Sequence, residues 1–350
     1  MIAVCRILIV ALLMLTSFQV GRAAEPVRGD VALHGMLPER EAWRAYKARF
    51  VTEQGRVVDT ANGLVSHSEG QGYGMLLAVA AGDLATFERI WGWTRANLFV
   101  RNDELAAWRW EPDKRPAIAD VNNASDGDLL IAWALAEAAV AWSDASYQIE
   151  ARRIAVDIGR KLVLFKTPQG ALLLPGMSGF AAEDRADGPT LNLSYYVFPA
   201  FARLPLVAPE FDWAALSRTG LSLLDKARFG PAKLPSDWIS LKSGEPQPAA
   251  GFPAQFSYNA IRIPLYLAWA GFDQPRHHAG FLQAWGKRSA RGFPLWLSRK
   301  VRPRAGWMSA AMRRCLRSAP ARLRARRFPA SCARLRSPTI IILRPCNCWL

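Results

Sequence analysis

The stretch "VSHSEGQGYGMLLAVAAGD", Val65 to Asp83, joins a polar, glycine-rich start to an apolar helical run. Ser68 and Gln71 have the spacing of a capping box, with the serine as cap and the glutamine reaching back. That box has no need of Glu69 among glycines, which weaken a helix. Glycines let a neighbour approach the backbone closely or let the chain turn sharply. Glu69 is therefore expected to face a ligand. A second stretch, "SDGDLLIAWALAEAAVAW", Ser125 to Trp142, has the same design, with Asp126 in the place of Glu69. A third polar start, Ser257-Tyr258-Asn259, opens another apolar run.

Working outward, apolar residues at three- and four-residue spacing predict helices over 38–51, 73–98 with a break near Gly82-Asp83, 126–142 and 146–164. Further helices fit 193–204, 212–227 and 257–271, and strand signals are sparse. Long connections run from Phe99 to Val121 and from Gly170 to Pro189. Helix after helix with long loops predicts an all-α toroid. No Pro- or Ser-rich linker divides the body, so residues 25–286 read as one domain.

The chain has 350 residues, 51% of them hydrophobic, enough for a sizeable core. Residues 1–24 read as a signal peptide: Arg6, then the apolar Ile7 to Leu15, then Gly21-Arg22-Ala23-Ala24 as a cleavage site. The expectation is export, to the periplasm or beyond; the alternative is a retained N-terminal anchor. The net charge of +16 suggests nucleic acid at first sight, but its distribution argues against that partner. From Gln274 onward there are 18 Lys and Arg and no acid, leaving 27 basic against 29 acidic residues before it. The cysteines divide the same way, with Cys5 in the leader and Cys315, Cys332, Cys346 and Cys348 in the tail. Residues 287–350 lose the helical alternation, and two explanations stand. One is a basic segment for an anionic surface. The other is a shifted reading frame: moved back one base, Thr339 to Leu350 accommodates "YYYPATLQLLA", a helix-like sequence. The second explanation implies damage to the last helices of the toroid.

The chemistry converges on the three polar starts. If their helices lie side by side and parallel, Glu69, Asp126 and Asn259 meet at one rim. Two carboxyls in unlike environments are what acid–base hydrolysis of an acetal requires. Taken singly, each start is an ordinary N-cap favoured by the helix dipole. Aromatic residues in polar loops, Trp108 and Trp238 among them, suit stacking on sugar rings, whereas Trp91, Trp93, Trp133 and Trp142 sit on periodic helices and read as core. His34, His67, His277 and His278 show no metal-ligand spacing, and there is no nucleophile elbow or phosphate loop. No metal or cofactor is expected.

"SEGQGYGM" and "ASDGDLLIAWAL" resemble the two signature segments of glycoside hydrolase family 8, in particular its endo-β-1,4-glucanases associated with bacterial cellulose synthases. The similarity runs from about Trp43 to Gly271 and includes "EQGRVVD", "LLLPGMSGF" and "SDW". The resemblance implies an (α/α)6 barrel and inverting hydrolysis of β-1,4-glucan, with a functional link to a cellulose synthase complex. Chitosan, lichenan and xylan are other substrates within the family. It implies Glu69 as general acid and Asp126 as second carboxylate, with Tyr73, Trp108, Tyr195, Trp238 and Arg262 along the substrate cleft. The glycines around Glu69 would then let the glucan pass close to the helix start. One departure matters. Where cellulases of the family commonly read Tyr-Asp-Ala-x-Arg, this chain reads "YNAIR", so the base position holds Asn259. Asp126 or Asp237 are the candidates to replace it. A non-catalytic glucan-binding protein is the alternative this departure supports.

Overall fold

The computed structural model describes residues 40–286. The expected leader, His34 and the tail from residue 287 lie outside the described residues. Nine α-helices are described: α1 (Arg40–Phe50), α2 (Ser68–Ala81), α3 (Leu84–Leu98), α4 (Ser125–Trp142), α5 (Ala145–Lys161), α6 (Phe198–Arg203), α7 (Trp213–Lys226), α8 (Ile263–Trp269) and α9 (Pro275–Gly286). Three small antiparallel sheets of two-residue strands tie the loops: β1 (Ser66–His67) with β2 (Arg109–Trp110), β3 (Val163–Leu164) with β4 (Leu172–Leu173), and β5 (Thr190–Leu191), β6 (Ile239–Ser240) and β7 (Gln247–Pro248) in that order. The architecture is helix-rich, as the periodicity predicts.

Burial follows composition. In α4 every residue from Ser125 to Ala138 is buried, and α2 is buried on nearly all sides. Helices apolar all round belong in an interior. By contrast α3, α5 and α7 bury one face and expose the other. Accordingly α2 packs on α4, and each takes one half-exposed helix against its other side, α3 on α2 and α5 on α4.

The packing around α2 corrects the expectation for Gly72 and Gly74. A Cβ at Gly72 would lie 2.5 Å from the Leu130 Cβ, and one at Gly127 would lie 2.1 Å from Ser68 Oγ. A Cβ at Gly74 would press on Val57 and Ile90. Gly72, Gly74 and Gly127 thus make room for protein, not for a passing ligand. Close helix packing leaves no space for side chains there.

The predicted capping boxes are also absent. The N-cap of α2 is His67 and that of α4 is Ala124, and neither side chain caps its helix. Ser68 and Ser125 are the first helical residues, and their buried hydroxyls have no hydrogen-bond partner. Gln71 instead joins three segments: its Oε1 accepts from Val57 N at 2.6 Å and its Nε2 donates to Thr94 Oγ1 at 2.6 Å. The helix expected over 73–98 divides at Gly82, which ends α2 in the left-handed conformation (φ 68°), and α2 starts earlier than expected. The helices expected over 193–204 and 257–271 each begin as a 3₁₀ turn, Leu193–Tyr195 and Ala260–Arg262. Helix α9 has no counterpart among the helices that the apolar spacing predicts.

Candidate active site

The first turns of α2 and α4 have backbone N–H groups with no helical partner. Loop carbonyls take the first of each: Ser68 N donates to the Trp108 oxygen at 3.1 Å, and Ser125 N to the Pro175 oxygen at 2.8 Å. These bonds bring the two long loops to the helix starts. Asp126 Oδ1 accepts from its neighbour Gly127 N at 2.9 Å. Asp128 Oδ1 accepts from Ala106 N at 2.8 Å and its Oδ2 from Asn123 Nδ2 at 2.7 Å. Asn123 Oδ1 in turn accepts from Met177 N at 2.8 Å, so Asp128 anchors both loops beneath the site.

Glu69 and Asp126 meet on one guanidinium. Arg262 Nη1 donates to Asp126 Oδ2 at 2.8 Å and also to Glu69 Oε1. Its Nη2 donates to Asn259 Oδ1 at 3.0 Å and to Ser194 Oγ at 3.1 Å. The Tyr195 ring lies 5.5 Å from the same guanidinium carbon. The structure thus brings the three polar starts together, with Arg262 as the hub. Exposure separates the two carboxyls: the Glu69 side chain is 29% exposed and the Asp126 side chain 2%.

Electrostatics acts on the buried members of the site. Burial raises the Asp126 carboxyl above the ordinary range, the Glu69 charge adds to the rise, and Arg262 opposes both. Burial likewise pushes Asp128 up to about 7, against its two hydrogen bonds. Burial disfavours the charged form of Arg262, but the Glu69 and Asp126 carboxylates outweigh it and hold the guanidinium protonated. A buried charge between two carboxyls is costly to strip of its partners.

The other expected site residues divide. Trp108 stands at the mouth, half-buried, with its indole nitrogen donating to Asp120 Oδ2 at 2.9 Å and its ring stacked on His67 at 5.8 Å. Tyr195 is also half-buried beside Arg262. Two rings expected to contact sugar already pack on other rings of the protein. Trp238 is half-buried, with Phe180 at 5.5 Å and Phe252 at 4.6 Å stacked nearly parallel to its ring. Tyr73 is 4% exposed and its hydroxyl bonds to that of Tyr266. Asp237 is buried beneath the third start, where its Oδ1 accepts from Ser257 N and Ala260 N, both at 2.9 Å. Burial raises its carboxyl, against those two bonds.

Sequence reasoning missed Tyr266 and the anchoring role of Asp128. A signal for Tyr266 existed: it follows Arg262 by four residues, as Tyr73 follows Glu69. Among the described residues no group of His, Cys, Asp and Glu could hold a metal ion, and no helix is long and apolar enough to cross a membrane.

Residues 4–290 match the family described as Glycosyl hydrolases family 8. A probable endoglucanase of Novacetimonas hansenii is 40% identical over 279 residues, covering 79% of this chain and 78% of the relative. An endoglucanase of Cellulomonas uda is 39% identical over 276 residues, 77% of this chain and 74% of its own. Among solved structures, an endo-β-1,4-glucanase of Acetobacter xylinum superposes with a TM-score of 0.71 at 37% identity, covering 81% of this chain and 89% of that one. A family 8 endoglucanase of Klebsiella pneumoniae gives 0.72 at 38% identity, covering 79% and 88%. The chain belongs to glycosyl hydrolase family 8.

Proposed function

We infer that this chain is an endo-β-1,4-glucanase in which Glu69 donates the proton to the glycosidic oxygen. The observation that carries this reading is the carboxyl pair on Arg262, set at the mouth of two aromatic loops in a chain whose relatives are named endoglucanases. Glu69 is the carboxyl a glycosidic oxygen can reach, because Asp126 is buried behind it. The buried, polar-walled Asp126 suits holding the sugar ring at the point of cleavage.

Inversion of configuration uses carboxyls standing roughly 6.5–9.5 Å apart, with a water between them. Glu69 and Asp126 reach the same guanidinium nitrogen, a tighter arrangement than that, so a separate base at the third start suits an inverting mechanism better. Asn259 occupies that start, and an amide orients water without taking its proton. Asp237, the nearby carboxyl, already accepts two backbone N–H groups. Asn259 therefore favours a second reading, a protein that binds β-1,4-glucan without cutting it. The resemblance of the two signature segments supports an (α/α)6 barrel and action beside a cellulose synthase complex, and the composition of residues 1–24 supports export.

The test is reducing-end release from carboxymethylcellulose by the wild-type chain and Glu69→Gln. Release by the wild type, reduced roughly 10²–10⁴-fold in the variant, is the expected result. Undiminished release in the variant removes Glu69 from its role. Binding of glucan by both, with release by neither and with chitosan, lichenan and xylan left intact, establishes the second reading.

A further inference from the structure

Arg262 can serve Glu69 and Asp126 only if α8, which follows it, keeps its register against α2. Two contacts join these elements as rungs. One is Arg262 with Glu69, and the other is the Tyr266 hydroxyl with the Tyr73 hydroxyl. Each rung joins residues 193 positions apart, so α2 and the start of α8 run parallel and in step. Four residues separate the rungs on both sides, Glu69 to Tyr73 and Arg262 to Tyr266. That is one helical turn, about 6 Å. The upper rung faces the site, and the lower one lies in the interior, with Tyr73 and Tyr266 both buried. A buried pair of rings meeting hydroxyl to hydroxyl fixes both the spacing and the height of two helices.

We propose that Tyr266 is a positioning residue for the reaction: through Tyr73 it sets the register of α8 on α2 and so holds the Arg262 guanidinium between Glu69 and Asp126. This rests on the glucanase reading for its effect on turnover, though not for its effect on Arg262. The remaining contacts of Arg262 come from its own turn, at Asn259, and from Ser194 and Tyr195 in the segment before α6. They hold the guanidinium laterally, the Trp269 ring rests on Trp133 of α4 at 4.8 Å, and the tyrosine rung is the contact that ties α8 to α2. Neither hydroxyl needs to touch substrate for this role.

The experiment compares the full chain with Tyr73→Phe, Tyr266→Phe and the double variant, reading the Asp126 carboxyl by ¹³C NMR titration and hydrolysis of carboxymethylcellulose. The groups acting on Asp126 are Glu69, Arg262, Asp128, the Gly127 N–H and the hydroxyls of Tyr195 and Tyr266. Arg262 lowers the Asp126 carboxyl, so its withdrawal makes Asp126 titrate at higher pH in each single variant. The double variant shifts no further than either single one, because each single change already removes the rung. The kcat falls roughly 10–100-fold with a smaller change in KM, as expected for a misplaced group. An unmoved Asp126 titration in both single variants, whatever happens to the melting temperature, overturns the proposal, as do additive shifts. The NMR reading requires no turnover. A wild type that fails to hydrolyse glucan therefore sinks the glucanase reading and leaves the rung tested on its own.

Discussion

The buried helices α2 and α4 and the half-exposed helices α3, α5 and α7 begin in opposite ways. Asp83 caps α3 by accepting from Thr86 N at 3.1 Å, Asp144 accepts from Ser146 N at 2.8 Å at α5, and Asp212 accepts from Ala215 N at 2.9 Å at α7. Each of these aspartates serves its own helix. At α2 and α4 the caps are His67 and Ala124, which give nothing, and the acid sits two residues further on. Loop carbonyls and Arg262 then take over as partners. An acid before the first helical residue stabilises the fold, and an acid within the first turn of an uncapped, buried helix is available for chemistry. The same residue types at nearly the same place thus have two uses, distinguished by a shift of two positions.

The sharpest way to break this comparison is at the contact between the two buried starts. Gly127→Ala puts a methyl group 2.1 Å from Ser68 Oγ and 2.8 Å from Glu69 N. Backbone cannot yield cheaply there, so α2 and α4 must separate. Thermal and urea unfolding are expected to show a loss of about 1–3 kcal/mol, the usual cost of overpacking, with hydrolysis reduced as well because Glu69 moves. Retained stability with full activity would show that the starts are not locked together.

Next in size is the contrast between Asp83 and Ser68. Asp83 caps α3 and also accepts from Trp43 Nε1 at 2.9 Å and Lys47 Nζ at 2.7 Å, tying α1 to the junction. Asp83→Ala is expected to cost about 1–2 kcal/mol in urea unfolding, while the folded fraction keeps its turnover rate. Ser68→Ala is expected to cost less than the ~1 kcal/mol of a capping serine, because its hydroxyl bonds to nothing. Equal losses from the two variants would erase the distinction between the two kinds of start.

Much of this was legible in the sequence. The helices announced themselves through three- and four-residue spacing, and Glu69 and Asp126 stood out as acids in excess of what a cap requires. The capping boxes misled because Ser-x-x-Gln has the same spacing whether or not the serine is inside the helix. In α2 it is inside, and that frees Gln71 to join Val57 and Thr94. The glycines of α2 suggest a ligand, since nothing in the sequence shows that Leu130 and Val57 occupy the space beside Gly72 and Gly74. Nothing local in the sequence reveals that Phe180 and Phe252 stack on Trp238. Contacts between residues far apart in the chain, such as Tyr73 with Tyr266, leave only a faint trace in matched four-residue spacings.

The most direct test of the uncapped starts as the reactive centre is a crystal structure of Glu69→Gln with a bound cello-oligosaccharide. The expected result is a chain crossing the starts of α2 and α4, with one glycosidic oxygen within roughly 2.6–3.2 Å of the residue 69 side chain and a sugar ring against Asp126 and Tyr195. A chain bound away from Arg262, with residue 69 reaching no glycosidic oxygen, would contradict it.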